Sequence, residues 1–306
     1  AARLASEEMD GSIGELLRPC EVRAFIELCK LNQAEREAIT IISFDCLGAW
    51  DNALFASRIE QEPDSADIFY QTTLADPLAP GNGTGAMARA CAVCEYFTPK
   101  GADIAIRFLG YEPGRSFGVE ALTSRGEAVL GPLNLDKAEV PSERQPLVRG
   151  LLDKRIKARD AMFYETGQAV SSIAQLSQYL SSCVNCQNCR TACPVCYCRE
   201  CVFKTDVFDH KPWQYLRWAK QRGFQRMPSD TVFFHLTRLA HMSTACVGCG
   251  QCSNACPNGI PVMELFRTVA ANTQKAFDYV PGRDVDEPPP LSVFAEDEYA
   301  EMTESH

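Results

Sequence analysis

No apolar run in these 306 residues reaches the roughly 18 to 20 positions that a membrane-spanning helix requires. The opening residues, AARLASEEMDGS, lack the basic-then-apolar order of a secretory leader. Basic residues are in deficit: 30 Lys and Arg against 40 Asp and Glu leave a formal charge of -10, without the clustered Lys and Arg that track a nucleic-acid backbone. Lysine-bearing phosphate loops, Ser-His-Asp arrangements and paired-carboxylate signatures are all missing, and there are only four histidines. These absences point to a soluble, cytoplasmic chain that binds no nucleic acid. Its composition, 46% apolar and 23% charged, is that of a globular protein with length for about two domains.

One residue type is abundant. Sixteen cysteines in a chain read as intracellular point to metal or redox sites rather than to a disulfide framework. Eight of them form two runs, CVNCQNCRTACP from Cys183 and CVGCGQCSNACP from Cys246, each cysteine displaced by 63 positions from its counterpart. In a C-x-x-C-x-x-C-x-x-x-C-P run, three closely spaced thiolates hold one 4Fe–4S cubane and the fourth ligates the other cluster. That logic assigns Cys183, Cys186, Cys189 and Cys256 to one centre. It assigns Cys246, Cys249, Cys252 and Cys193 to a second. Two zinc sites are the alternative, although zinc modules usually bring two C-x-x-C pairs to one ion.

The rest of the chain divides into three stretches. Residues 1–146 carry mixed α/β signals. A helix is expected from near Cys20 with Val22, Phe25, Ile26 and Leu28 on one face, strands over 38–44 and 102–108, and a hairpin turning at Ser124-Arg125-Gly126. Residues 147–280 read as mainly helical, including a helix with Val232, Phe233, Leu236, Leu239 and Ala240 on one face behind a Ser229 or Asp230 cap. Residues 281–306 form an acidic, Pro-rich tail, eight Asp or Glu against Arg283, expected to order on binding. The class is therefore α+β: an α/β domain, a helical dicluster ferredoxin domain and an extended tail. The 63-residue interval is filled with helical pattern, and the module resembles the helical ferredoxin domains of succinate dehydrogenase and heterodisulfide reductase small subunits.

Four further cysteines punctuate the first stretch: Cys20 at the expected helix start, Cys46 at a strand end, and the pair Cys91 and Cys94. A helix N-terminus favours an anion such as a thiolate-ligated cluster, and strand ends are usual places for ligand contact. Spacing alone equally allows two buried thiols and a lone redox or zinc pair. The segments LLRPCEVRAFIELCKL, IISFDCLG and CAVCEYFTPKGADIAI resemble the carboxy-terminal domain of the beta subunits of deazaflavin-coenzyme-reducing hydrogenases and formate dehydrogenases, over roughly residues 12–110. This resemblance implies that Cys20, Cys46, Cys91 and Cys94 hold a third 4Fe–4S centre beside an FAD. Arg18 and the glycines Gly83 and Gly85 of GNGTG are the flavin-phosphate candidates, with a helix salt bridge and a flexible loop as their alternative readings. The family has a longer segment before its Arg-Pro-Cys element than the 17 residues here, which implies that part of the flavin and deazaflavin pocket is either missing or supplied by another chain.

Cys196, Cys198 and Cys201 follow the first run directly; they read either as ligands of an additional cluster, completed by Cys29 or another residue, or as packing thiols. His210, His235 and His241 read as packed or surface residues, and Trp213, Tyr215 and Trp218 as a core or interface stripe. The functional expectation is an electron-transfer subunit. It would relay electrons between a formate dehydrogenase- or hydrogenase-type catalytic subunit and a heterodisulfide-reductase-like flavin subunit. The alternative is a flavoenzyme acting directly on a diffusible deazaflavin or nicotinamide.

Overall fold

The computed structural model describes residues 13–76, 87–198 and 200–293. Strand β1 (Ile13–Leu17) leads through Arg18 into helix α1 (Pro19–Lys30). The proline sits in the first turn, where no N–H is needed, and Glu21 accepts from the Arg18 backbone N–H at 2.8 Å to close the helix start. The spacing of Val22, Phe25, Ile26 and Leu28 does what it predicts, since all four are buried. Strand β2 (Ile39–Phe44) alternates, burying Ile39, Ile41 and Ser43. Helices α2 (Asn52–Gln61), α3 (Ser65–Ala75) and the single turn α4 (Arg89–Ala92) follow, then strands β3 (Ile104–Arg107) and β4 (Gly118–Ala121).

The four strands form one sheet in the order β1-β2-β3-β4. Ile13 pairs with Ile39 and Ile42 with Ile104 in parallel, whereas β3 and β4 run antiparallel with Ile104 opposite Ala121. The hairpin expected at Ser124-Arg125-Gly126 is not formed: those residues begin helix α5 (Ser124–Leu130). Thr123 is the reason, because its Oγ1 accepts the Gly126 N–H and donates to Asp103 at 2.7 Å, starting a helix where a turn was expected. Gly126 packs so closely that a Cβ would overlap the Asp103 carbonyl.

Helix α6 (Arg144–Ala169) crosses the expected boundary at 146/147 and serves both halves. Its Leu151 joins a core with Leu47, Phe97 and Leu109, and its Met162 joins Ala90, Val93 and Met263. The remaining helices are α7 (Ile173–Tyr179), the single turn α8 (Asn188–Thr191), α9 (Pro212–Arg222), α10 (Thr231–Met242), the single turn α11 (Gln251–Asn254) and α12 (Val262–Ala276). Their core gathers Leu176, Leu180, Phe234, Ile260, Leu265 and Phe266, together with Ala24 from α1.

Helix α10 does not present the expected face. It buries Phe234, His235, Arg238, Leu239 and Met242, while Phe233 and Leu236 are 56% and 39% exposed, and Asp230 stands at the N-cap without a side-chain cap bond. The helix is rolled so that polar side chains face the cysteine runs, and hydrophobicity alone does not predict that choice. The expected tail also begins inside the fold: Pro281 and Gly282 are buried against α1. There the Glu27 carboxylate, 1% exposed, accepts from Tyr279 Oη at 2.7 and 2.8 Å and from the Gly282 N–H at 2.7 Å. No helix of the described residues is long and apolar enough to cross a membrane.

Candidate metal centres

The sequence repeat is also a conformational repeat. In the first run Asn185 and Gln187 adopt left-handed backbone (φ 55° and 60°) before the turn of α8; in the second, Gly248 and Gly250 (φ 71° and 78°) precede the turn of α11. These pairs are 63 positions apart, as the cysteines are. Glycine is needed only in the second run because of what that run touches. A Cβ on Gly250 would collide with Ala90 of α4, whereas Gln187 has room and donates its Nε2 to the Phe203 carbonyl at 3.0 Å.

Cys183, Cys186, Cys189 and Cys256 line one cavity with Phe234 and His235 of α10. Donors point at the sulfurs: the Asn185 N–H at Cys183 and the Ile260 N–H at Cys256, both 3.4 Å, and an Arg238 guanidinium nitrogen at Cys189, 3.1 Å. His235, 1% exposed, brings its Nε2 to 3.6 Å from the Cys183 sulfur. Burial together with the Arg238 charge pushes its imidazole down to about 4, so it is neutral here. Cys186 is the exposed member of this set.

Cys193, Cys246, Cys249 and Cys252 line a second cavity, walled by Met242, Met263, Phe266 and Arg238. Burial pushes all four of these thiols up, Cys252 well above its ordinary range. Backbone N–H groups oppose the shift at Cys246 (from Gly248) and at Cys249 (from Gln251).

Cys20 near the start of α1, Cys46 after β2, and Cys91 and Cys94 around α4 line a third cavity with Phe97 and Arg155. Its wall includes Gly248 and Cys249, so Cys249 borders both the second and the third cavity. Burial pushes the Cys20 thiol up to about 12 and Cys46 up to about 11. Buried Asp45 anchors this corner: it takes both Arg144 guanidinium nitrogens at 2.5 and 2.9 Å and the N–H groups of Phe108 and Leu109 at 3.0 and 3.1 Å. Glu95, next to Cys94, pairs with Arg267 of α12 and with Arg159 of α6 at 3.2 Å, tying the loop to the helical half.

These donor sets suit a cluster. Bare thiolates are disfavoured in apolar linings, and iron supplies the compensating positive charge while the N–H groups stabilise sulfur ligands. Among the described residues, no three His, Cys, Asp or Glu converge as a single metal ion would require. Each cysteine set instead lines a separate cavity.

The other candidates are placed as follows. Arg18 is held by Glu21 at 2.7 Å beside Cys20, while Gly83 and Gly85 lie outside the described residues. Cys196 and Cys201 pack on the helical core, whereas Cys29 packs on the sheet core with Leu17 and Phe25. Cys198 is half-buried and His241 exposed. His210 stands 3.8 Å from Asp230 and edge-on to Tyr215 and Trp218. Sequence reasoning missed Arg238 and underrated His235; their i, i+3 spacing on the helix entering the second run was the available signal. A broad open cleft, lined by Thr98, Arg107, Tyr111, Phe117, Arg149 and Leu152 among others, lies beside the third cavity: Thr98 follows Phe97, and Leu152 precedes Arg155 by one turn.

Residues 179–260 match the family of 4Fe-4S dicluster domains. Over 93% of its length the chain is 27% identical to the F420-dependent formate dehydrogenase subunit beta of Methanocaldococcus jannaschii, covering 77% of that protein. Over 92% it is 26% identical to the F420-dependent formate dehydrogenase 1 subunit beta of Methanococcus maripaludis, covering 76% of it. The resemblance to this beta-subunit family therefore spans nearly the whole chain and is not confined to the iron–sulfur module.

Proposed function

We propose that this chain, an iron–sulfur protein resembling formate dehydrogenase beta subunits along nearly its whole length, is the electron-transfer subunit of an oxidoreductase with three 4Fe–4S centres. The observation that carries the reading is the contiguity of three cavities, each lined by its own set of four cysteines. Cys249 borders the second and third, and Arg238 lines the second while bonding Cys189 of the first. When bound, each centre carries one electron, at a potential tuned by ligands, hydrogen bonds and exposure.

The chain's residues bind, insulate and align. Cys20, Cys46, Cys91 and Cys94 would hold one end of the relay, Cys193, Cys246, Cys249 and Cys252 its middle, and Cys183, Cys186, Cys189 and Cys256 its other end. Apolar walls such as Phe97, Met242, Met263 and Phe266 keep water from the sulfurs. Gly250 allows the second run to press against α4, which brings the middle and third cavities together. The exposed position of Cys186 makes the first set the natural exit toward a heterodisulfide-reductase-like partner.

At the other end, the resemblance implies FAD serving a two-electron donor, a deazaflavin in the named relatives, supplied through a formate dehydrogenase- or hydrogenase-type catalytic subunit. The cleft beside the third cavity has the chemistry for it: Tyr111 and Phe117 for a ring system, Arg107 and Arg149 for phosphates.

The deciding experiment is iron, acid-labile sulfide, zinc and flavin content per chain after anaerobic purification. About 12 iron, four for each of three cubanes, with one FAD is the expected result. About 8 iron without flavin would confine redox function to the dicluster module and sink the three-centre relay. Reduction of a dye by a deazaflavin or nicotinamide on the isolated chain would instead favour a self-sufficient flavoenzyme.

A further inference from the structure

Arg238 is 4% exposed and, like the buried Arg23 and Arg155, is included in none of the ion pairs among the described residues; of these three it alone leaves its Nε without a hydrogen-bond acceptor and reaches a cysteine sulfur. By contrast, the buried Arg144 has the Asp45 carboxylate and Arg267 has Glu95. A buried cation without a counter-charge costs several kcal/mol, so a fold that keeps one ordinarily holds an anion against it. The guanidinium is clamped rather than loose. One nitrogen reaches the Cys189 sulfur at 3.1 Å, another the Cys189 carbonyl at 3.1 Å, and the Phe266 ring lies 4.5 Å from the guanidinium carbon. It also lines the second cavity beside Cys193, Cys246, Cys249 and Cys252.

We propose that Arg238 is a positioning charge shared by the first and second centres, whose thiolate-ligated clusters are its missing counter-ions, and that it raises the reduction potentials of both. This rests on the cluster assignment made above. Reduction adds one electron to a centre, so a fixed positive charge nearby stabilises the reduced state more than the oxidised one. The dry surroundings of both cavities leave that charge weakly screened. The direct bond to Cys189 makes the effect larger on the first centre. Because one charge serves both centres, it keeps two adjacent relay stations moving together in potential.

The test is redox-poised EPR on anaerobically purified whole chain carrying Arg238→Gln or Arg238→Lys, with iron and sulfide content measured on each. Gln removes the charge and should lower both dicluster midpoints. For the first centre the expected loss is about tenfold in the reduction equilibrium, the scale of one charge-assisted hydrogen bond, or 59 mV for one electron. Lys keeps the charge without the two-pronged grip on Cys189, so the second midpoint should recover while the first stays low. Midpoints unchanged in the Gln variant at full iron content would overturn the inference, as would equal shifts in both variants. Should Gln lose iron while Lys retains it, the charge is required for assembly and the inference stands; loss in both makes the role one of packing and refutes it. If the unsubstituted chain shows no pair of dicluster signals, the cluster assignment itself is what fails.

Discussion

Replacing Gly250 with alanine probes the contact on which the proposed relay depends. Two costs add at this position. The backbone has φ 78°, left-handed, where a Cβ costs roughly 1–2 kcal/mol. The new methyl would also meet the Ala90 Cβ of α4, and overpacking of that kind costs roughly 1–3 kcal/mol. The expected destabilisation is therefore about 2–5 kcal/mol. Gly259 is the internal control: its φ of 62° carries the same backbone penalty, but nothing lies within 4 Å of an added Cβ. Gly259→Ala should lose only about 1–2 kcal/mol. A third variant closes the comparison, because Ala90→Gly in the Gly250→Ala background should return most of the packing cost as a coupling between neighbours. Urea titration of the cluster absorbance, with EPR of the second and third centres at each step, measures all three. If Gly250→Ala and Gly259→Ala melt alike, or the Ala90→Gly rescue is absent, the second run does not press on α4 and the contiguity of the two cavities is wrong.

Three further substitutions test other parts of the site. Asp45→Ala strands the buried Arg144 and two backbone N–H groups, so a loss of roughly 3–5 kcal/mol and selective loss of the third centre are expected in thermal melts and iron analysis. Cys249→Ser should cripple the second centre, lowering iron by about four per chain, while the third keeps Cys20, Cys46, Cys91 and Cys94; EPR with every reduced signal intact would refute the ligand assignment. Glu27→Gln weakens the anchor of Tyr279, Lys30 and Gly282, so limited proteolysis should cut near residues 278–293 sooner with iron content unchanged; unaltered cleavage would show that the segment is held by other contacts.

The outcome of the sequence reading followed the range of the interactions involved. Helix α1, strand β2 and strand β3 were legible because each is a local period, and Pro19 announces its own helix start. The hairpin at 124–126 was misread because Thr123 and Gly126 answer to Asp103, about twenty residues away. Helix α10 was rolled the wrong way because its buried face is chosen by cysteines, and an apolar pattern carries no mark for a histidine and an arginine turned inward.

By itself the sequence determined the two cysteine runs and suggested their cross-paired grouping, whereas spacing left Cys20, Cys46, Cys91 and Cys94 open and only the resemblance grouped them. Fixed spacing on a tight loop is a local property, and the 63-residue displacement states it twice. Only the tertiary structure decided that Cys249 borders two cavities, that Gly250 abuts Ala90, and that Arg238 stands between two sets. It likewise set the joints from Asp45 to Arg144 and from Glu27 to Tyr279, which span 99 and 252 positions. Contacts between residues so distant along the chain leave no periodicity to read. They exist only once burial has brought the two halves into one core.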